Sequence, residues 1–307
     1  MAVPILRFGT RGSMKFAVPL IVVSSVLGLS ACGSTDAPSL SAELQVAKAT
    51  AGPSPLATSG DCAPSQLTTR SSGHLNVAYS HPVAPYLIDR YPAAPVGFDV
   101  AVVNAIANGL GIESTQVAWN KVAIKQLTAP TRQDLDLSVG RIDVKSSTDG
   151  VVLTAPYFKE AQVLLARPDT TMAKVRKSSE LIGTKLGVVK GTSSDAYVKN
   201  TLGLPSTAYV SSNVLKAAMR DYHVNAMIVS IADVAKTIET FTGALVVVGQ
   251  FPAAKSAVTY ALAMPVADPL ITCVNNVLAE LAKSGQLANL QANWFTAGVN
   301  RTISVKE

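Results

Sequence analysis

From His74 onward, short aliphatic runs alternate with stretches whose apolar residues fall at helical spacing, and this alternation constrains the fold most. LNVAYS (75–80) reads as a strand. GFDVAVVNAIANGLG follows, with Val102, Val103, Ala105, Ile106 and Leu110 on one helical face and glycines suited to a C-terminal cap. TQVAW, LDLSV, AQVLLAR, TKLGVV, TAYV, NAMIVS, ALVVVG and AVTYALAM are further strand candidates. Between them lie helix candidates: KVAIKQL, a helix from about Ser193, SNVLKAAMRDY and IADVAKTIETF. Two more, DPLITCVNNVLAELAKSG and QLANLQANWF, close the chain. Alternating strands and helices predict α/β layers with mostly parallel sheets. The strand-helix units fall in two batches, separated by AQVLLAR and rejoined at AVTYALAM. That pattern predicts two lobes joined by two crossing segments.

The N-terminus is of another kind. FAVPLIVVSSVLGLSA carries no charge, ends at Cys32, and is preceded by Arg7, Arg11 and Lys15 with no acidic residue. This is the layout of an export signal, and it falls short of the roughly 20 apolar residues a membrane span needs. LSAC followed by glycine resembles a bacterial lipobox, which implies a lipid on Cys32 and a signal peptide over 1–31; an uncleaved anchor is the alternative. Either Met1 or Met14 could be the start. Two acyl chains give stable anchoring where one does not, so the expected location is extracytoplasmic, lipid-anchored at the cell membrane. Residues 32–73 are rich in Ser, Thr, Ala, Pro and Gly and read as a flexible tether.

Removing 1–31 takes away three basic residues and no acidic one, so the net charge of +6 falls to +3. No lysine-arginine cluster with interleaved aromatics remains, and nucleic acid is not an expected partner. Cys62 and Cys273 are left once Cys32 is acylated. In an oxidising compartment such a pair commonly bridges, here stapling the start of the folded region to a late helix; two free buried thiols are the alternative. No C-x-x-C occurs, and His74, His81 and His223 lack metal-ligand spacing, so neither a metal nor a cofactor is expected.

HLNVAYSHPVAPYLI, PVGFDVAVVNAIANGLGI, VAWNKVAIKQL, LTAPYFKEAQVLLAR, TKLGVVKGTSSDAY, NAMIVS and LAELAKSGQLANLQANWF follow one another in order. Together they resemble the extracellular solute-binding proteins of family 3, the amino-acid receptors of ABC importers, over about residues 74–307. The resemblance implies a two-lobed type II periplasmic-binding-protein fold with two hinge crossings. Lobe one would hold 74–164 plus 257–307, and lobe two 165–256. It also implies a monomer, an ABC permease partner and a ligand in a cleft closed by hinge motion.

KGTSSDAY puts Thr192 and Ser193 between a strand and a helix start, where backbone N–H groups favour an anion; a plain N-cap is the simpler reading of the same residues. The resemblance adds Tyr86 as an aromatic against the ligand and Ser80 as a polar contact ending the first strand. Trp119 matches a tryptophan frequent in the family and is expected to pack. Asp99, in Gly97-Phe98-Asp99, is expected near a helix start, where negative charge is favoured.

The stretch DLDLSVGRIDVKSSTDGVVLTAPYF departs from the family. Relatives place there an arginine that grips the ligand's α-carboxylate; one register puts that position on Ser147, the other on Thr148. Relatives also close the strand matching NAMIVS with an aspartate for the α-ammonium, and here that place is Ser230. A buried ion pair that loses one partner costs about 3–5 kcal/mol, so an ordinary zwitterion is not the expected guest. Arg141, Asp143 and Lys145 are the charged candidates in the loop, with a solvated surface as the alternative. The expected ligand is a modified amino acid or another small polar metabolite. No nucleophile-base pair is evident, and binding without catalysis is expected. A sensor or scaffold without transport is the first alternative, and a dehydratase-type enzyme on the same fold the second.

Overall fold

The computed structural model describes residues 62–129, 134–146 and 150–305. The leader, Cys32, the tether as far as residue 61, and positions Ser147 and Thr148 lie outside the described residues. In chain order the first strands are Leu75–Tyr79 (β1), Val117–Lys121 (β2), Leu137–Asp143 (β3), Val151–Leu153 (β4) and Phe158–Lys159 (β5). Gln162–Ala166 (β6), Leu186–Val189 (β7), Thr207–Tyr209 (β8), Ala226–Ser230 (β9) and Val246–Gln250 (β10) follow, and Thr259–Pro265 (β11) is the last. The α-helices are Phe98–Gly109 (α1), Ser193–Tyr197 (α2), Ser212–Arg220 (α3), Val234–Glu239 (α4), Leu270–Lys283 (α5) and Gln286–Phe295 (α6).

The strands form two sheets, ordered β2-β1-β3-β11-β4 with β5 also on β11, and β10-β6-β9-β7-β8. Each sheet is mixed. Strands separated by helical or turn segments pair in parallel, as β1 does with β2 and β3, and β7 with β8 and β9. The strands at the crossings, β6 and β11, pair antiparallel with their neighbours because the chain enters each sheet there from the other. Parallel pairing is thus confined to the strand-helix batches.

All five residues of β6 are buried, as a central strand covered on both faces requires. Against the first sheet, α1 buries Val102, Val103 and Ile106, and α5 buries Val274, Val277 and Leu278. The two helices meet at Gly109, where an added Cβ would sit 2.5 Å from Val277 Cγ1. Cys62 is bonded to Cys273 on α5, so the start of the folded region is stapled to that helix across 211 residues of sequence.

Two sequence expectations change at their edges. KVAIKQL forms only a short 3-10 turn, Ile124–Gln126. Its first residues are drawn into the sheet instead: Lys121 ends β2, and the Val122 N–H donates to the Tyr79 carbonyl. The helix expected over IADVAKTIETF starts as a 3-10 turn, Ile231–Asp233, capped by the Ser230 hydroxyl, before α4.

The last residues return to the second sheet. Thr302 bridges to Gln250 and Ser304 to Lys177, and Ile303 is fully buried in the core formed by Leu164, Val188 and Phe251.

Candidate functional site

The site is built where both crossings leave the first sheet. β3 pairs with β11 through Ser138–Ala263, then resumes at Ile142–Ala261 and Asp143–Tyr260. Three residues of β3 therefore face Leu262 alone, and the excess is absorbed by Gly140 (φ 149°) and Arg141 (φ 56°). Bulges of this kind re-aim side chains next to functional sites. Here the half-buried Arg141 guanidinium lies 5.7 Å from the centroid of the Tyr86 ring. Among the described residues it makes no hydrogen bond or ion pair.

Tyr86 is held rigidly. The N–H groups opening α1 donate to carbonyls of the preceding loop, Phe98 to Pro85 and Asp99 to Tyr86. Gly97 allows the approach, since a Cβ there would fall 2.2 Å from the Tyr86 carbonyl oxygen. The ring is buried and meets Phe158, Tyr260 and Phe295 edge-on, with centroids 5.0–5.8 Å away. Tyr86 thus packs as core, and its charged neighbour is Arg141. Trp119 packs edge-on against Tyr79, as expected of a packing tryptophan.

A left-handed backbone at a non-glycine residue costs about 1–2 kcal/mol. Arg141→Gly is therefore expected to be about 1 kcal/mol more stable than Arg141→Ala in denaturant melts, since both lose the side chain and only glycine relieves the backbone. Equal stabilities would mean that position 141 carries no strain.

Asp99 lies in the first turn of α1, as the sequence leads one to expect, and is also fully buried, with Oδ1 accepting from the Tyr157 hydroxyl at 2.9 Å and Oδ2 without a partner among the described residues. Burial pushes its carboxyl up to about 7, against the Tyr157 bond and the Arg141 charge, which both favour ionisation. Desolvation outweighs both. Burial likewise holds the Tyr86 and Tyr157 hydroxyls well above the ordinary tyrosine range.

The second wall comes from the crossing segment and β9. Gln162 pairs in register with Ser230. The Ser194 hydroxyl donates to Gln162 Oε1 at 2.6 Å, and the Ser193 hydroxyl donates to Glu160 Oε1 at 2.7 Å. The turn before α2 is largely satisfied from within. Thr192 caps α2 by accepting from the Asp195 N–H, its hydroxyl donates to the Val189 carbonyl, and the Gly191 N–H donates to Asp195 Oδ2. Two of the chain's own carboxylates, Asp195 and Glu160, therefore lie against this turn.

The remaining candidates divide. Ser80 is buried at the end of β1, its carbonyl oxygen 3.6 Å from where a Gly140 Cβ would sit, so it adjoins the bulge. Asp143 accepts from the Lys145 N–H, while the Lys145 side chain is exposed. Ser230 is buried and spends its hydroxyl capping the turn after β9. The charges of Arg141, Glu160, Asp99 and Asp143 all act on the Tyr260 hydroxyl, which burial raises, so these groups share one neighbourhood. Glu160, Gln162, Tyr260 and Asp233 were missed from sequence. The available signal was Glu160 itself, a lone acid immediately before the apolar AQVLLAR.

Two mixed sheets linked by two crossings, with charged groups gathered at the crossings, define a two-lobed binding protein of type II topology. The family model for bacterial extracellular solute-binding proteins, family 3, matches residues 75–297, and the chain belongs to that family. Among solved structures it is similar to the L-cystine solute receptor of Neisseria gonorrhoeae in its unliganded open conformation, at 17% identity over 76% of this chain and 95% of that one, TM-score 0.55. Substrate-binding domain 2 of Lactococcus lactis GlnP, in open conformation, matches at 16% over 73% and 95%, TM-score 0.52. An ancestral cyclohexadienyl dehydratase matches at 17% over 73% and 92%, TM-score 0.57. These likenesses show the fold, which binding proteins and an enzyme share. No curated protein matches the chain. The family is one of extracytoplasmic binding receptors for ABC importers. Among the described residues no helix is long and apolar enough to cross a membrane.

Proposed function

We propose that this protein is a lipid-anchored receptor outside the cytoplasm that delivers a small polar, amino-acid-like ligand to an ABC permease. The ligand is held between a first lobe of 74–164 plus 257–307 and a second of 165–256, with residues 162–164 and 301–305 joining the second sheet, and its charges are spaced differently from those of a standard α-amino acid. One observation carries this reading: the bulge in β3 sets Arg141, otherwise unpaired among the described residues, over Tyr86 at the crossings. The guanidinium is a donor for a carboxylate or similar anion, and it is carried on β3 rather than at sequence positions 147 or 148. Ser80, Asp143 and Lys145 are the further contacts proposed from the first lobe, and Thr192, Ser193 and Ser230 those proposed from the second.

Native mass spectrometry of the gently purified full chain tests the reading. The expected result is a co-purified small molecule, an acylated Cys32, and calorimetric binding weakened by Arg141→Ala. Tight binding of a plain α-amino acid such as L-glutamine, unchanged in that variant, would overturn the proposed ligand class. The absent acid at Ser230 also favours a second reading, a sensor without transport. A permease and ATPase encoded beside the gene would decide for transport.

A further inference from the structure

We infer that Glu160 supplies the carboxylate that receives a protonated amine of the ligand, in place of the acid absent at Ser230. The inference rests on the solute-binding reading and names the chemistry of one end of its ligand.

Ser230 pairs in register with Gln162 on the neighbouring strand. Glu160 lies just before that strand, and its carboxylate is 3.5 Å from the amide nitrogen of Gln162, the residue that Ser230 pairs with. The backbone around it is fixed from both sides: the Glu160 N–H donates to the Val258 carbonyl of the other crossing, and the Ile231 N–H donates to the Ala161 carbonyl. Glu160 is thus bound into the point where the two crossings and β9 meet.

The side chain is held but not saturated. Oε1 accepts from the Ser193 hydroxyl at 2.7 Å, and the Gln162 amide lies 3.5 Å from the same oxygen. Gln162 is itself anchored through Ser194. Oε2 accepts no hydrogen bond, and no lysine or arginine pairs with Glu160 among the described residues. A carboxylate oriented by two neutral donors and left without a cation is preorganised for one. Its charge acts on Tyr86 and Tyr260, the rings beside Arg141, and on Asp233, which follows Ser230 in the capping turn. An amine between Glu160 and Asp233 would settle two carboxylates that otherwise repel each other, while Arg141, over the Tyr86 ring, remains for an anion.

The test uses the full chain in detergent and four amines, putrescine, 4-aminobutyrate, L-glutamine and L-cystine, against amine-free succinate and butyrate. Any molecule found by native mass spectrometry joins the panel. The expected result is that wild-type protein binds an amine-bearing member and not its amine-free counterparts. Glu160→Gln, which keeps the shape and can still accept from Ser193, should weaken that binding about 10- to 100-fold, the effect of losing one charged hydrogen bond. Glu160→Asp should fall between, and serves as the deciding variant if the glutamine form does not fold. Wild-type binding that a folded Glu160 variant leaves unchanged, or a resident ligand lacking an amine, overturns the inference and leaves the receptor reading intact. A wild-type chain that carries no small molecule and binds no member of the panel overturns both.

Discussion

Replacing Cys62 and Cys273 together by serine is expected to lower the unfolding free energy by about 5 kcal/mol. The bridge closes 211 residues of sequence, and the chain-entropy relation for a loop of that length gives about 5 kcal/mol through the restricted unfolded state. Nothing in the folded structure compensates, because the two sulfurs are buried between the start of the folded region and α5. For a domain of this size the loss corresponds to a fall in melting temperature of roughly 10–20 °C. Denaturant melts of wild type and of the double serine variant, each with and without reductant, give the answer. A loss under about 1 kcal/mol, or a wild type indifferent to reductant, would show that the bridge does not hold the fold.

The second large effect depends on pH and comes from Asp99. Its carboxyl is raised from the ordinary 3.8 to about 7 by burial. Below pH 4 folded and unfolded forms are both protonated, and the group costs nothing. Between about pH 4 and 7 the unfolded chain ionises first and binds fewer protons, so stability falls as pH rises. Above pH 7 both forms are ionised, and the cost levels off at about 4 kcal/mol, three decades at about 1.4 each. Asp99→Asn keeps the acceptor for the Tyr157 hydroxyl and removes the ionisation. The difference in stability between variant and wild type should therefore grow by up to about 4 kcal/mol from pH 4 to pH 8. A difference that stays flat over that range would place the Asp99 carboxyl at its ordinary value.

How much of this was legible in the sequence depends on the distance over which each signal acts. The helical spacing of Val102, Val103 and Ile106 reports a local period, and α1 forms where it predicts. The terminal helices α5 and α6 follow for the same reason. KVAIKQL failed because pairing of Lys121 and Val122 with β1 is a long-range contact that local spacing does not encode. Asp99 shows the same limit: its place at a helix start was readable, while its complete burial depends on rings contributed by distant segments. The bulge at Gly140-Arg141 exists only relative to β11, more than a hundred residues later, so Arg141 could be named from sequence but not aimed. Glu160 gave no motif at all. Its meaning comes from the register of Gln162 with Ser230, which only the folded second sheet supplies.

The return of the C-terminus to the second sheet carries a mechanical consequence. After α6, which packs on α1 and α5, residues 301–305 pair with Lys177 and Gln250 and bury Ile303. The chain therefore passes between its two sheets a third time, beside β10. If the two lobes swing as the fold family's hinges imply, the span from Phe295 to Arg301 must lengthen with them. Shortening that span is then expected to favour the closed arrangement and lengthening it the open one, a difference that small-angle scattering of the two variants would read.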